Sequence, residues 1–277
     1  MSFRIEILIS TMFKDDLSFL EPMFVDNNSD DFDLIVVNQT TEDKLLVSDK
    51  ANIKVINSFE RGSPSSRNLA IQNATQDICL MADDDIVFKP NLKETILNAY
   101  KNHPNAAMIS FEAVDESGKL YTNYHQEGSH NKKSLKKIYT WVITFNRKVF
   151  HDNAIYFNHY FGVGSVFKGE TEYVFLRNAY DKNLPMIHIA QTIVMHPNES
   201  SGRLMGSDNA VFARSALRYR FYGNLSYLWV FKYVFFLLRY KYIAVKDVFA
   251  KIRTGFEGIK TYKMLKNEGK INQLHEY

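Results

Sequence analysis

Short apolar segments alternate with helix-like segments throughout the first half of the chain, and this alternation constrains the fold more than any other feature. The fourth apolar segment has apolar residues at consecutive positions, which is typical of a strand buried on both faces. Strands that alternate with helices indicate βαβ units and a largely parallel sheet. We therefore expect a Rossmann-like α/β fold whose first strands are Arg4–Ser10, Asp33–Val37, Ile53–Phe59 and Asp77–Ala82.

The rest of the chain changes in character along its length. A helix should begin near Gly62, with Ser63 as its N-cap and Pro64 in the first helical position. From Ala106 to about Phe150 the pattern favours strands, interrupted by a polar loop at Glu127–Lys137. Beyond about Asp208 the pattern is wholly helical. The sequence therefore predicts a first domain at 1–205 and a helical extension at 206–277, with further elements at Pro90–Asn102 (helix), Glu170–Lys182 (helix) and Met186–Met195 (strand).

Composition limits the cellular setting and the number of cores. With 277 residues, 45% of them hydrophobic, the chain can build one sizeable core. Its first residues enter a strand-like pattern directly, so no signal peptide is expected. The single cysteine, Cys79, lies in an apolar segment and cannot form an internal disulfide. These features favour a reducing, cytoplasmic environment.

Charge is distributed unevenly. From residue 203 onward there are 14 Lys and Arg against 5 Asp and Glu, a balance of +9, whereas residues 1–202 carry −6. The segment Tyr222–Ile243 is rich in aromatic residues, and its longest uncharged run is shorter than the roughly 20 residues that a membrane-spanning helix needs. We expect an interfacial helix on an anionic membrane surface, with Lys232, Arg239 and Lys241 reaching the lipid, and no nucleic-acid partner. A core helix and a homo-oligomer interface remain the alternatives.

Three consecutive aspartates, Asp83, Asp84 and Asp85, follow the fourth predicted strand. Open α/β sheets bind ligands outside the carboxyl ends of their strands. Adjacent carboxylates repel one another, so a positive group should neutralise them. Carboxylate oxygens suit Mg²⁺ or Mn²⁺, which often bridge protein acids to phosphate oxygens. The triplet therefore predicts a site for a divalent cation and a phosphate-bearing ligand.

The segments Arg61–Ala70, Ala74–Ile78 and Met81–Asp85 together resemble glycosyltransferase family 2, over roughly residues 3–200. The resemblance implies a GT-A fold with helices on both faces of the sheet, an Asp-x-Asp motif, and Mn²⁺ or Mg²⁺ as cofactor. It implies that Asp83 contacts the ribose and that Asp85 binds the metal, with Asp84 on the donor side and Asp83 as a second candidate metal ligand. Family nucleotide-binding loops correspond to Thr11, Asn38 and Gln39; many members have an Asp that reads uracil where Asn38 or Gln39 stands.

A second acidic cluster, Gly169-Glu170-Thr171-Glu172-Tyr173, resembles the acceptor-site motif of the same family. An inverting transferase uses a carboxylate to take the proton of the attacking hydroxyl, which contributes about 10²–10⁴ in rate. On a helix, Glu170 and Glu172 would point roughly 200° apart and could not share one role. By resemblance to galactofuranosyl-type enzymes, Glu170 is assigned as the base and Glu172 as the acceptor ligand, with Glu172 as the alternative base.

Several further residues are candidates for the donor site. Some GT-A enzymes place a metal-binding histidine 22–26 residues after the base, and His196 is 26 residues after Glu170. The polar segment 198–203 is a candidate lid, with Arg203 as a phosphate clamp. Arg61 and Arg67 are candidate diphosphate contacts. The other histidines, including His103, His125, His130 and His151, show no spacing typical of metal ligands.

The sequence thus predicts an inverting, metal-dependent glycosyltransferase. Its donor would be a nucleotide sugar, a UDP-hexose carrying galactose, galactofuranose or glucose, and its acceptor a hydroxyl of a glycan or lipid-linked oligosaccharide in surface-polysaccharide synthesis. A nucleotidyltransferase that makes nucleotide sugars should carry a Gly-rich basic loop after the first strand, where Ser10-Thr11-Met12-Phe13 stands instead. A non-catalytic sugar-nucleotide or membrane-binding scaffold would not require Glu170.

Overall fold

The computed structural model describes residues 3–197 and 205–271. These residues form a mixed sheet of nine strands with the order β3-β2-β1-β4-β8-β6-β9-β5, and β7 pairs with β9. The predicted α/β fold is confirmed. The strands are β1 Ile5–Met12, β2 Asp33–Gln39, β3 Ile53–Ser58, β4 Ile78–Asp83, β5 Val87–Phe88, β6 Met108–Val114, β7 Gly128–Ser129, β8 Ile143–Asn146 and β9 Met186–Met195.

Strand directions decide which ends of the strands meet. β1, β2, β3 and β4 pair in parallel. β8 is antiparallel to both β4 and β6, so β6 runs in the direction of β4, and β9 is parallel to β6. The carboxyl ends of β1–β4, β6 and β9 therefore lie at one edge of the sheet. β1, β2 and β4 are almost wholly buried, as their apolar sequences predict.

The helices occupy most of the predicted positions, and the C-terminal region is helical as expected. Ser63 is not the N-cap of the second helix: Gly62, at φ +130°, occupies the cap, and Ser63 is already helical with a buried hydroxyl that has no partner. Only glycine readily adopts that backbone conformation, which explains the shift by one residue. The helices are α1 Leu20–Met23, α2 Ser63–Asn73, α3 Leu92–Asn102, α4 Arg147–Asp152, α5 Thr171–Asp181, α6 Asp208–Tyr222, α7 Ser226–Arg239 and α8 Val248–Asn267.

The polar stretch Glu127–Lys137, predicted as a loop, instead contributes β7, a short 3₁₀ turn and a buried imidazole. His130 bonds to Ser110 at 2.8 Å and to Ser134 at 3.0 Å, and His188 bonds to the same Ser110 hydroxyl at 3.0 Å. Burial lowers the pKa of His130 to about 3 and that of His188 to about 4. Both rings are therefore neutral parts of the core, and the stretch is held by hydrogen bonds that its composition did not reveal.

Backbone contacts divide the chain into two compact units. Of the described residues, the first unit comprises 3–157 and 175–197 and contains the sheet, and the second comprises 158–174 and 205–271. In the second unit, α6, α7 and α8 pack around two apolar clusters. α8 approaches α6 closely at Gly258, where a Cβ would lie only 2.3 Å from the carbonyl oxygen of Phe212. Within the described ranges, none of the helices combines the length and apolarity required to cross a bilayer.

Candidate functional site

The predicted donor and metal residues of the first unit converge on one edge of the sheet. In the pairing register Ser10 lies beside Asp83, and Thr11 lies beside Asn38. His196 directly follows β9 and donates its backbone N–H to the carbonyl of Val114 at the end of β6. Because parallel strands end together, residues far apart in sequence become neighbours. This edge is where open α/β sheets bind their ligands.

Asp83, the last residue of β4, forms an ion pair with Arg67 of α2. The distance from the guanidinium Nη2 to Oδ1 is 3.0 Å. Arg67 is almost fully buried and its guanidinium also lies 5.5 Å from the centre of the Phe157 ring. A buried, stacked arginine of this kind is fixed in orientation, so it holds the Asp83 carboxylate in one place. Arg67 therefore neutralises the first charge of the triplet.

Asp84 contacts the loop that follows β1. Thr11 donates its hydroxyl to Oδ2 at 2.6 Å, and the ammonium of Lys14 lies 3.1 Å from the same oxygen. Lys14 is a participant that the sequence analysis missed. It lies two residues beyond β1 in a polar segment, and only the register of β1 against β4 brings it to Asp84. The second charge of the triplet is thus compensated as well.

Asp85 faces His196 across 3.5 Å, measured from Oδ1 to Nε2. The other ring nitrogen, Nδ1, lies 2.6 Å from the carbonyl of Pro197 and must donate to it, so in the neutral imidazole Nε2 is the nitrogen with the lone pair. Burial raises the pKa of Asp85, His196 opposes that rise, and Asp83 and Asp84 add to it. Asp85 is thus the member of the triplet that lacks a permanent cation.

A cluster of three aromatic rings, two of which contact the imidazole, fixes His196 in place. Its imidazole stacks on Trp141 with centroids 4.8 Å apart, and Trp141 stacks on Tyr139 at 5.0 Å. Tyr121 meets the imidazole edge-on at 5.3 Å. Such ring contacts and the Nδ1 hydrogen bond together leave the imidazole little rotational freedom. The cluster was not predicted, because its members are up to 75 residues apart in sequence.

The side chains at Asp85 that could bind a metal suit a divalent cation, although the protein supplies few such ligands. Across residues 3–197 and 205–271, no group of three or more His, Cys, Asp or Glu side chains is arranged to hold a metal ion. A carboxylate oxygen and an imidazole Nε2 are nevertheless appropriate ligands for Mn²⁺ or Mg²⁺. An Mg²⁺-type site commonly uses one or two protein ligands and completes its shell with phosphate oxygens and water. Asp85 and His196 fit that pattern.

Asn38 and Gln39 are buried and their amides are already engaged. Asn38 accepts from the backbone N–H of Lys14 at 3.1 Å and donates to its carbonyl at 2.9 Å. Gln39 accepts from the backbone N–H of Gly62 at 2.7 Å. These contacts tie β2 to the loop after β1 and to the start of α2. The arrangement favours a role in shaping the nucleotide site over direct reading of a base.

Arg61 is exposed, with its guanidinium 5.0 Å from the centre of the Phe13 ring, and its role in donor binding stays a prediction. Phe13 has a left-handed backbone, at φ +54°, and its side chain is 39% exposed. An exposed arginine and phenylalanine beside the acidic edge provide a cation and a stacking surface. Arg203 and the proposed lid at 198–203 lie outside the described residues.

Glu170 belongs to the second unit and does not lie on a helix, so the predicted 200° separation from Glu172 does not apply. α5 begins only at Thr171, and Glu170 has φ +61°, directly after Gly169 at φ +114°. Non-glycine residues in this region are strained and persist only where surrounding contacts hold them. Glu172 is partly buried in the first turn of α5.

The contacts that hold Glu170 come from two helices of the same unit. Arg214 of α6 donates from Nε to Oε1 of Glu170 at 2.8 Å and from Nη1 to the hydroxyl of Tyr233 at 2.7 Å. Tyr233 of α7 in turn donates to the carbonyl of Met205 at 3.1 Å. Burial alone would lower the pKa of Arg214, but the neighbouring Glu170 and Tyr233 raise it by more. The pKa therefore lies above its usual value, and the guanidinium is charged. The network thus anchors the Glu170 carboxylate through Oε1.

Comparison with protein families gives a match over more than half of the chain: the family described as "Glycosyl transferase family 2" matches residues 4–164. A comparison with curated proteins finds no significant match. The matched range contains the acidic triplet, Arg67 and the aromatic cluster around Trp141. It ends before Glu170, so the second acidic cluster lies beyond it.

Solved structures give the same fold. The crystal structure of S. aureus TarS 1–349 aligns with a TM-score of 0.55 at 12% identity, covering 99% of this chain and 93% of that one. TarS 1–349 in complex with UDP aligns at 0.52 and 13% identity, with 99% and 93% covered. Its complex with UDP-GlcNAc aligns at 0.53 and 12% identity, with 98% and 93% covered. At these identities the likeness establishes the GT-A fold that the sequence predicted.

Proposed function

This chain belongs to glycosyl transferase family 2, and we propose that it transfers a hexose from a UDP-sugar to a glycan hydroxyl with inversion at the anomeric carbon. The chain is thus a glycosyltransferase with a nucleotide-sugar donor. The observation that carries the finer proposal is the acidic edge of the sheet, where two aspartates are compensated by Arg67 and Lys14 and the third faces His196. The choice of UDP is supported by the UDP and UDP-GlcNAc complexes of the structurally similar TarS.

Each group at this edge has a distinct task in the proposal. Asp85 and His196 would hold Mn²⁺ or Mg²⁺, which neutralises the charge that develops on the departing diphosphate. Asp83, oriented by Arg67, would accept a hydrogen bond from a ribose hydroxyl. Asp84 would keep the loop of Thr11 and Lys14 against the donor. Because the fold positions these groups before the donor binds, they would stabilise the charge that develops on the diphosphate in the transition state.

On the acceptor side we assign Glu170 as the base and Glu172 as a ligand of acceptor hydroxyls. As the acceptor oxygen forms its bond to the anomeric carbon, its proton passes to the Glu170 carboxylate. The bond from the anomeric carbon to the diphosphate oxygen breaks, and UDP leaves with the electron pair. The acceptor would be a glycan or a lipid-linked oligosaccharide of a surface polysaccharide. A lipid-linked acceptor would require a peripheral position on the cytoplasmic face of the membrane.

Ligand-dependent stability tests the donor and the metal together. Melting temperatures would be measured with UDP, GDP, UDP-glucose, UDP-galactose, UDP-galactofuranose and UDP-GlcNAc, each with Mn²⁺ and with chelator. A ligand at 100 times its Kd adds about 2.7 kcal/mol to stability, which raises the melting temperature by several degrees. We expect UDP and the UDP-sugars to raise the melting temperature only when Mn²⁺ is present. The exposed Asp31→Asn variant should behave as the wild type, and Asp85→Asn should lose the metal-dependent shift.

Two outcomes would refute separate parts of the proposal. A larger shift with GDP than with UDP would exclude the uridine donor. An equal UDP shift with Mn²⁺ and with chelator would exclude the metal role of Asp85 and His196. The anomeric configuration of the product, read from its NMR coupling constant, tests inversion independently, because retention of configuration cannot arise from a single displacement.

A further inference from the structure

The outward face of α7 is apolar. The side chain of Leu225, the residue directly before α7, is 70% exposed, and those of Leu228, Phe231 and Phe235 on the helix are 70%, 50% and 64% exposed. They recur every three or four residues and therefore form one stripe along the helix. The opposite face is buried in the core of the second unit, through Ser226, Val230, Tyr233, Val234 and Leu237. Folding of this unit thus uses only one of the two apolar faces of α7.

Charges of one sign accompany the stripe. Lys232 and Arg239 are exposed, and their spacing from Leu228 and Phe235 places them on the same side of the helix. Between residues 209 and 246 the sequence has seven Lys and Arg and no Asp or Glu. Beyond α7 the pattern continues with exposed apolar and aromatic side chains at Tyr240, Tyr242, Val245 and Phe249. The surface is therefore both apolar and predominantly basic, with Asp247 as the carboxylate within it.

We propose that this surface, formed by the stripe on α7 and residues 240–249, docks onto an anionic lipid bilayer with α7 lying in the plane of the interface. Apolar side chains would enter the boundary between headgroups and acyl chains, and Lys and Arg would reach the anionic headgroups. Tyrosines belong at this boundary because they have an apolar ring and a polar hydroxyl. No turnover is needed for such docking, so it stands apart from the proposed chemistry.

Charge argues for lipid over a second copy of the chain. In a two-fold symmetric dimer the same patch faces itself, so Lys232 and Arg239 would face a second basic patch, and Asp247 is the one carboxylate between residues 209 and 249 that could offset them. Like charges placed opposite each other across an interface are unfavourable. An anionic bilayer supplies the missing negative charge over the whole surface.

Sedimentation with vesicles tests the proposal on the full chain. We expect binding to vesicles of phosphatidylcholine mixed with phosphatidylglycerol, weak binding to phosphatidylcholine alone, and release at high salt. Each Lys or Arg near such a surface accounts for about a fivefold change in affinity. Lys232→Glu with Arg239→Glu should therefore weaken binding at least 25-fold. Leu228→Ser with Phe235→Ser should also weaken it, through the lost apolar contacts.

Matched substitutions elsewhere control for general effects of charge and hydrophobicity. Val25 and Lys101 are exposed residues of the first unit, and Val25→Ser with Lys101→Glu should bind vesicles as the wild type does. UDP affinity measured on every variant separates this proposal from the proposed function. Wild-type protein that ignores anionic vesicles, or control variants that lose binding equally, would overturn the proposal. So would a dimer in light scattering that Leu228→Ser dissociates while vesicles have no effect.

Discussion

Replacing Arg214 with methionine should slow sugar transfer, because this guanidinium is the contact that holds the proposed base in place. Methionine keeps the apolar stem but removes both hydrogen bonds, at 2.8 Å to Glu170 and at 2.7 Å to Tyr233. Arg214 would thus be a positioning residue that acts through the Glu170 carboxylate.

The expected fall in kcat follows from comparing the backbone strain at Glu170 with the strength of its ion pair to Arg214. The left-handed backbone of Glu170 costs roughly 1 kcal/mol or more, and the surrounding contacts must offset it. The ion pair, with both side chains about a quarter exposed, contributes on the order of 1 kcal/mol after solvent screening. Because the two terms are similar, loss of Arg214 lets Glu170 relax. A displacement of about 1 Å can cost about 10²-fold in rate. We expect kcat to fall by about 10–10²-fold, less than the roughly 10²–10⁴-fold expected for Glu170→Gln.

Steady-state kinetics with a saturating donor would measure this change, together with UDP affinity and the free energy of unfolding. Arg214→Lys should restore part of the rate, since it keeps the charge but loses the two-pronged geometry. Tyr233→Phe, which keeps the ring, should have a smaller effect than Arg214→Met. In the double variant with Glu170→Gln, removal of Arg214 should cost nothing further. Wild-type kcat in Arg214→Met, or fully additive losses in the double variant, would refute the positioning role.

Three further predictions concern metal, pH and packing. His196→Gln should weaken Mn²⁺-dependent UDP binding at least tenfold in calorimetry, and equal affinity with and without chelator in the wild type would contradict this. Because burial lowers the pKa of His130 and His188 to about 3 and about 4, the unfolded chain binds more protons below pH 6.5. The contribution of the two neutral rings to stability is therefore fully present above that pH. On acidification the free energy of unfolding, measured with denaturant, should fall by at most about 1.4 kcal/mol per pH unit for each ring. A free energy of unfolding that stays constant from pH 7 to 5 would refute this prediction. Gly258→Ala should destabilise by about 1–3 kcal/mol, since α6 must move away from the new Cβ, and a stabilised variant would show that the helices separate freely.

Much of the first unit could be predicted because its strands are continuous apolar segments that end in polar residues. β4 and the aspartates after it are the clearest example, since burial of the strand and exposure of the triplet are both visible in the sequence. His196 reaches Asp85 through the antiparallel pairing of the short strand β5 with β9, which places Val87 beside Met195 and which the sequence did not reveal. The α/β fold, the helical C-terminal region and the family were all confirmed.

Features that depend on single contacts between distant residues could not be predicted. Arg214 reaches Glu170 across 44 positions, and His130 and His188 meet at the Ser110 hydroxyl from strands and loops with no shared motif. Glu170 has a left-handed backbone and lies before the helix, although the sequence predicted it to be helical. Nothing in Gly-Glu-Thr-Glu marks the second residue as non-helical. Ser63 misled for a similar reason: serine is a common cap, but the preceding glycine accepts the required backbone angle.

The chain contains only two tryptophans. One lies beside the proposed metal ligand and the other beside the residues that hold the proposed base. Trp141 stacks on His196, the residue assigned to the metal. Trp229 stacks on Tyr233 at 4.7 Å, one hydrogen bond from the arginine that holds Glu170. Indole emission responds to charge and polarity in the groups that touch the ring. With Trp229→Phe the remaining fluorescence would follow events at the metal, and with Trp141→Phe it would follow those around the base. Under the proposed assignments the molecule carries two intrinsic fluorophores, one beside the proposed metal site and one beside the proposed base, so no attached dye would be needed to tell donor binding from acceptor binding.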